Sequence, residues 1–235
     1  MKKKIIICGA SKNLGKYLAE KFERNNTVFK LGRSNQNKKN YFSCDFLNIN
    51  ELSKNLKEIK LKSKKVDGVV FCIGDSKKYF KTNDDIFFWK KSMETNLFTL
   101  VNFINVFLKV FKKSKTKIIV ISSIAGKEII NAPITYSVSK SALNFYVKIK
   151  ALELIKFGIQ INVISLGNIF QKNNNWHKKI IKNKNKVKNY IKKNVPTNKF
   201  CNPEEVFMLC DYLFNNKNSN FLGSNIVLDG GQSLK

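Results

Sequence analysis

Tyr136 and Lys140, in Tyr136-Ser137-Val138-Ser139-Lys140, stand four residues apart at the start of a long segment with helical apolar spacing. On a helix, that spacing puts both side chains on one face. A free phenol titrates near ~10 and is a poor acid or base at neutral pH. An ammonium beside it favours the phenolate and draws it toward the working range. Y-x-x-x-K alone is common by chance, and most such pairs lie on surfaces. Upstream, Ile121-Ser122-Ser123-Ile124-Ala125-Gly126 closes an apolar run and places hydroxyls at the carboxyl end of a strand, where open α/β sheets bind ligands.

A second constellation lies near the start of the chain. An apolar strand runs directly into Gly9-Ala10-Ser11-Lys12-Asn13-Leu14-Gly15, and a helix follows. A strand, a tight turn and a helix N-terminus present unpaired backbone N–H groups and a positive helix end, which suits a pyrophosphate. The spacing is Gly-x3-Asn-x-Gly, and asparagine is the residue after glycine that best tolerates a left-handed backbone. The second strand ends Lys30-Leu31-Gly32-Arg33-Ser34. An acid here would hold the ribose hydroxyls of NAD, whereas a cation accommodates the 2′-phosphate of NADP. With Arg33 at this point and Lys12 in the turn, NADP(H) is expected in preference to NAD(H).

The elements that must position these groups alternate along the chain. Strands are expected at 4–8, 27–31, 66–73, 117–122, 159–165 and 225–228, most of them continuously apolar, as strands covered on both faces are. Segments 14–24, 51–61, 92–111, 136–157 and 204–214 carry helical spacing. Asn202-Pro203-Glu204-Glu205 is a helix start, with a capping residue, a first-turn proline and acids near the positive end. The β/α alternation implies a parallel sheet wrapped by helices. Only 171–199 interrupts it, a Lys/Asn-rich stretch with ten lysines and no acid.

The 235 residues, 43% of them hydrophobic, supply an ample core and rule out a wholly disordered chain. Against 44 Lys+Arg stand 16 Asp+Glu, a net charge of +28. Only two of the cations are arginine, and Asn, Ile and Phe are also abundant, so genome bias accounts for much of the excess; the functional alternative is attraction to an anionic partner. Five cysteines without a C-x-x-C pair, and a lone His177, point to neither a disulfide framework nor a metal site. The apolar run Ile5–Cys8 is too short for a signal-peptide core, and no stretch reaches the length of a membrane span. A cytoplasmic, soluble protein without membrane association is expected.

Taken together, the motifs resemble the classical short-chain dehydrogenase/reductase family nearly end to end. The Gly9…Gly15 turn resembles T-G-x3-G-x-G, with Cys8 for Thr and Asn13 for the middle Gly. Asp45, in Cys44-Asp45-Phe46, matches the acid after the third strand that contacts adenine. Phe71-Cys72-Ile73-Gly74 occupies the N-N-A-G position and keeps only its glycine. Asn96 matches the catalytic Asn, and Ser123, Tyr136 and Lys140 match the rest of a tetrad, the thirteen-residue Ser-to-Tyr spacing selecting Ser123 over Ser122. Asn162-Val163-Ile164-Ser165-Leu166-Gly167 resembles N-x-I-x-P-G with Leu for Pro. The stretches Asn202–Val206 and Gly223–Gly231 match the closing P-E-E-V and G-x-x-I-x-V-D-G-G signatures.

The resemblance implies a single Rossmann-type, doubly wound α/β domain over residues 1–235, with a seven-stranded parallel sheet flanked by helices and a substrate lid at about 168–200. It implies NADP(H)-dependent interconversion of a carbonyl and an alcohol without a metal. Tyr136 is the proton donor, Lys140 lowers its pKa and holds the ribose, Ser123 stabilises the oxyanion, and Asn96 positions a water relaying protons to Lys140. Cofactor contacts are expected from Gly9, Ser11, Lys12, Asn13, Leu14, Gly15, Arg33, Asp45, Phe46, Cys72, Gly74, Tyr136, Lys140, Gly167 and Ile169. The substrate stays open between a ketoacyl group on an acyl carrier protein and a saccharide-related ketone, small or carrier-bound and in either case a candidate anion. A homotetramer or dimer is expected, with 92–111 and 136–157 pairing with their copies and burying Leu143, Phe145, Tyr146 and Val147 or their neighbours. The departures at N-N-A-G and at Leu166 bear on the nicotinamide side of the pocket. The rival readings are a non-catalytic NADP-binding protein, a nucleic-acid-binding protein and a sugar-nucleotide epimerase or dehydratase. The first should lack a tetrad residue, the second should show a base-reading motif or stacking platform, and the third should carry a larger C-terminal domain. None of these features is found in the sequence.

Overall fold

The computed structural model describes residues 2–34, 36–76, 85–112, 115–172, 174–216 and 220–235. Seven strands, β1 (Lys4–Cys8), β2 (Thr27–Gly32), β3 (Tyr41–Ser43), β4 (Gly68–Phe71), β5 (Lys117–Ser123), β6 (Gln160–Leu166) and β7 (Asn225–Leu228), form one sheet in the order β3-β2-β1-β4-β5-β6-β7. Every neighbouring pair is parallel. This is the Rossmann-type sheet that the alternation of elements implies.

Strand alternation explains the continuous apolar runs. Ile6, Cys8, Val69, Phe71, Ile118, Val120, Ile161 and Val163 pack on one side of the sheet, against helices α2 (Ile49–Lys62), α4 (Thr99–Phe111) and α5 (Ile134–Leu154). Their neighbours in sequence, Ile5, Ile7, Val70, Ile119, Ile121 and Ile164, face the other way, against α1 (Asn13–Glu23) and α8 (Pro203–Asn215). Both faces of each central strand are thus buried, leaving no position for polar alternation. Phe103, Phe107 and Phe111 form one ridge on α4, with successive ring centroids 5.5 and 5.0 Å apart. Burying each such side chain contributes about 2 kcal/mol. α8 starts as expected, with Asn202 and Glu205 forming a reciprocal capping box.

Three features differ from the sequence expectations. β3 has only three residues and shows no periodicity long enough to read. β4 is shorter than 66–73, so Cys72–Asp75 leave the sheet and turn toward the ligand edge. The stretch read as an interruption contains two helices, α6 (Asn175–Lys182) and α7 (Lys184–Asn194), and Asn173 before them lies outside the described residues. Helix α3 (Ile86–Met93) runs through a π-helical segment, Glu94–Phe98, into α4. Among the described residues, no helix is long and apolar enough to cross a membrane.

Candidate active site

The strand order reverses between β1 and β4, and a cleft of about 260 Å³ opens at their carboxyl ends. Its wall carries Lys12, Asn13, Leu14 and Gly15 from the first turn, and Cys72, Gly74 and Asp75 from the β4 extension. Ser123, Tyr136 and Lys140 complete it, with Leu166, Gly167 and Ile169 after β6.

The first turn hangs on β2, since the N–H groups of Gly9 and Ala10 both donate to the Leu31 carbonyl at 2.8 and 3.0 Å. Gly9 has φ +85°, and a Cβ there would come within 2.6 Å of the Cys72 carbonyl oxygen. Asn13 adopts φ +48°, the left-handed conformation that its replacement of a glycine requires. The cap residue Lys12 makes no side-chain cap, so the first-turn N–H groups of α1 are left to a ligand. This cradle fits a pyrophosphate. At the end of β2, Arg33 is exposed beside a hydroxyl cluster in which Tyr41 Oη lies 2.9 Å from Ser11 Oγ and 3.0 Å from Ser34 Oγ. A Cβ on Gly32 would approach that Tyr41 hydroxyl to 2.6 Å. Tyr41 escaped the sequence reading because β3 was not recognised.

The catalytic candidates come from three elements and meet at the cleft floor. Asn96, in the π-helical segment, is fully buried. Its Oδ1 accepts from the Asp75 N–H at 2.9 Å, while Nδ2 donates to the Asp75 carbonyl at 3.2 Å and to Ser139 Oγ at 3.1 Å. Ser139 Oγ in turn donates to the Tyr136 carbonyl at 2.9 Å, and Ser92 Oγ to the Thr135 carbonyl at 3.0 Å. One polar network therefore ties the β4 extension to the first turns of α5. A Cβ on Gly74 would lie 2.9 Å from Lys140 Nζ and 3.1 Å from Asn96 Oδ1, which explains why the glycine is the part of N-N-A-G this chain keeps. Lys140 is 3% exposed, with Nζ donating to the Ile121 carbonyl at 3.3 Å and lying 6.0 Å from the Tyr136 ring centre. Ser122 and Ser123 point to opposite sides of β5. Ser123 lines the cleft with Tyr136 and its Oγ accepts from the Ala125 N–H at 3.2 Å, whereas the Ser122 hydroxyl is buried without a partner among the described residues.

The chain's relationships agree with this arrangement. A family model described as enoyl-(acyl carrier protein) reductase matches residues 12–233. The chain belongs to the short-chain dehydrogenase/reductase family. It is 28% identical to the 3-oxoacyl-(acyl-carrier-protein) reductase FabG of Buchnera aphidicola subsp. Schizaphis graminum, over 99% of this chain and 98% of that one. An NAD-dependent glycerol dehydrogenase of Listeria innocua is 24% identical over 98% of this chain and 93% of its own. The solved structure of ElxO with NADP bound superposes with a TM-score of 0.86 at 24% identity, covering both chains in full. As a member of the family, the protein is an oxidoreductase acting between an alcohol and a carbonyl with NAD(P).

Within this dehydrogenase/reductase, several expectations need correction. Lys140 was expected to draw Tyr136 toward neutrality. Burial instead dominates both groups, pushing Tyr136 up and Lys140 down to about 8. Desolvation is the largest influence on Tyr136; the neighbouring Ser123 hydroxyl lowers it and the charge of Asp75 raises it further. The Asn96 side chain spends its hydrogen bonds on Asp75, Ser92 and Ser139, so it braces the floor of the cleft. Phe46 points its ring into the core, 5.8 Å from Phe71 and 6.2 Å from Phe103, leaving only its main chain for a ligand. Asp45 is exposed after β3, its Oδ1 accepting the Leu47 N–H at 3.0 Å. With Leu rather than Pro at 166, β6 continues one residue further and pairs Ser123 on one side and Leu228 on the other.

The apolar residues of 171–199 do not form a face directed at the cleft. Trp176, Ile180, Tyr190 and Ile191 surround Val187, Val195 and Phe200 in a separate small core, while Ile181 is 73% exposed. That core is tethered by Asn168, whose Nδ2 donates to Tyr190 Oη and to Gln232 Oε1, both at 3.1 Å, and whose Oδ1 accepts from Trp176 Nε1 at 3.1 Å. Single-residue reading missed this knot because its members lie in three separate stretches. On α5, Leu143 and Val147 are buried in this chain's own core, and the exposed apolar row is Phe145, Ile149 and Leu152.

Proposed function

We propose that the chain is an NADP(H)-dependent reductase of a neutral or carrier-bound carbonyl, with Ser123, Tyr136, Lys140 and Asn96 as its catalytic tetrad. The observation that carries the reading is that Ser123, Tyr136 and the buried Lys140 line one cleft together with the uncapped N-terminus of α1. NADPH, when bound, supplies the hydride. Gly9, Asn13, Leu14 and Gly15 hold its pyrophosphate, and Arg33 with the Ser11, Ser34 and Tyr41 hydroxyls receives the 2′-phosphate. Tyr136 Oη gives its proton to the carbonyl oxygen, and Ser123 Oγ donates to that oxygen as charge develops. An upward-shifted phenol suits this direction, because it enters the reaction protonated. Lys140 holds the ribose and stabilises the tyrosinate left behind, and Asn96 keeps the β4 extension and the start of α5 in register.

The FabG relatives favour a ketoacyl group on an acyl carrier protein, and the ten lysines of 171–199 suit an anionic carrier. We place α6 and α7 over the substrate and assign the exposed row Phe145, Ile149 and Leu152 to pairing with a second copy in a dimer or tetramer, which light scattering checks. The deciding experiment is a carbonyl screen with NADPH and NADH, including a ketoacyl carrier-protein conjugate and sugar-derived ketones, followed by loss of reduced-cofactor absorbance. NADPH-dependent turnover that disappears in Tyr136→Phe supports the assignment; none with any carbonyl overturns it.

A further inference from the structure

Helix α3 buries the opposite of what its composition predicts. It leaves Ile86 and Phe87 64% and 63% exposed, and the one residue of the helix that is buried is Ser92. A buried helix position ordinarily goes to an apolar side chain, and a buried hydroxyl is costly unless it is hydrogen-bonded. The Ser92 hydroxyl is fully engaged. Its Oγ lies 3.0 Å from the Thr135 carbonyl and 3.1 Å from Ser139 Oγ, both on α5, and accepts from Asn96 Nδ2 at 3.3 Å.

A hydroxyl has one proton to give. Ser139 spends its own on the Tyr136 carbonyl at 2.9 Å, so the proton of Ser92 goes into α5, and the chain of donors runs one way, from Asn96 through Ser92. Turning the Asn96 amide over would set its oxygen against the two serine oxygens and its nitrogen against the Asp75 N–H, so the serines fix its orientation. The two α5 carbonyls held in this way, of Thr135 and Tyr136, belong to the peptide groups on either side of the Tyr136 Cα. That turn needs holding from outside. It starts at Pro133 without a side-chain cap, and first-turn N–H groups have no partner inside a helix.

Resting on the reductase reading above, we propose that Ser92 is a positioning residue for Tyr136. Its hydroxyl ties the peptide group entering Tyr136 to the Asn96 amide, and through that amide to the β4 extension, so the phenol is aimed from α3 as well as by its own helix. Ser92→Thr and Ser92→Val test this, because the two side chains have the same shape and only threonine carries the hydroxyl. Ser92→Ala removes the hydroxyl without adding volume and serves if the larger pair does not fold; native circular dichroism is checked for each. Ser92→Thr should keep kcat within about threefold of wild type, whereas Ser92→Val and Ser92→Ala lower it roughly tenfold or more, with the NADPH Kd from fluorescence titration unchanged. A defect of packing alone would strike Ser92→Thr and Ser92→Val equally. Exchange of the Asn96 Nδ2 hydrogens, followed by NMR of asparagine-labelled protein, reads the brace without turnover. It should be slow in wild type and Ser92→Thr and at least about tenfold faster in Ser92→Val and Ser92→Ala. Asn96 exchange indifferent to the hydroxyl overturns the proposal. Turnover with equal kcat in Ser92→Val and Ser92→Thr, or in Ser92→Ala and wild type, rejects Ser92 and leaves the reductase reading intact. Exchange that follows the hydroxyl in a protein that turns over no carbonyl supports the brace and rejects the reading instead.

Discussion

The cleft floor and the α6–α7 hairpin are held by different forces. The floor is built from the ends of buried parallel strands, with glycines 9 and 74 at contacts where a Cβ would touch the Cys72 carbonyl or Lys140 Nζ at 2.6–2.9 Å. Asn96 and Ser139 sew it to α5. The hairpin has a core of its own around Val187, Val195 and Phe200 and joins the rest largely through the polar knot at Asn168 and a bond from Thr197 N–H to the Gly230 carbonyl, at 3.1 Å. Its lysines face solvent. A floor of this kind preserves chemistry, whereas a separately cored hairpin can vary with the substrate while the chemistry stays fixed.

Tyr136→Phe separates chemistry from binding most sharply. The ring remains and only the proton donor is lost, so turnover should fall by at least roughly a hundredfold while NADPH binding, followed by fluorescence titration, persists. Activity within tenfold of wild type would show that the floor is not the reacting centre.

Lys140→Met tests the floor through stability. With its folded value at about 8 against an ordinary lysine value of ~10.4, the unfolded chain holds a proton that the folded chain has lost between those limits. Stability contributed by this group therefore rises with pH across that window. Buried thiols such as Cys72, pushed up to about 12, act in the opposite sense, so the wild type alone conceals the effect. The stability of wild type relative to Lys140→Met should rise by up to about 3 kcal/mol between pH 8 and 10.4, read by urea unfolding. A flat difference would mean that the lysine is not buried as an ammonium.

Arg33→Asp addresses the outer part of the cofactor cradle. The new carboxylate repels the 2′-phosphate and accepts from a ribose hydroxyl, so the kcat/KM ratio of NADPH to NADH should fall roughly tenfold or more. An unchanged ratio would transfer phosphate recognition to Lys12 or to the Ser11–Tyr41–Ser34 hydroxyls.

The same contrast governs what could be read from sequence. The floor was legible because strand-turn-helix chemistry is local: Gly9 to Gly15, Ser123 and the Tyr136–Lys140 pair each announce themselves within a few residues. Contacts that need distant segments were not. Of the α5 residues expected to meet a second copy, Phe145 is exposed, whereas Leu143 and Val147 are buried and Tyr146 packs partly against the core; every side of that helix carries apolar residues, and only packing shows which are spent on the chain's own core. Trp176 and Tyr190 looked like a face for the cleft because helical spacing reveals an apolar stripe without naming its partner, here Phe200, with ring centroids 4.6 Å from Trp176. The influence of Asp75 on Tyr136 lies across 61 residues of sequence and leaves no local pattern.

The smallest effect expected is on the hairpin. Lys178, Lys179, Lys182 and Lys184 are exposed, and exposed charges act at a distance limited by screening to about 10 Å at 0.1 M salt. Changing all four to Gln should therefore raise KM for a carrier-protein or coenzyme A conjugate by roughly threefold to tenfold at low salt, and flatten its dependence on ionic strength. For a neutral ketone, KM should move little. Lys179 also stands 4.1 Å over the Trp176 ring, a contact worth about 0.5–1 kcal/mol at an exposed site, so the small core should loosen slightly. Trp176 fluorescence on heating detects that loosening independently of turnover. Equal losses for charged and neutral substrates would assign the effect to the hairpin's packing over the cleft. A loss confined to the anionic conjugate would assign it to the lysines, and no loss with either would make the hairpin surface a bystander to the chemistry below it.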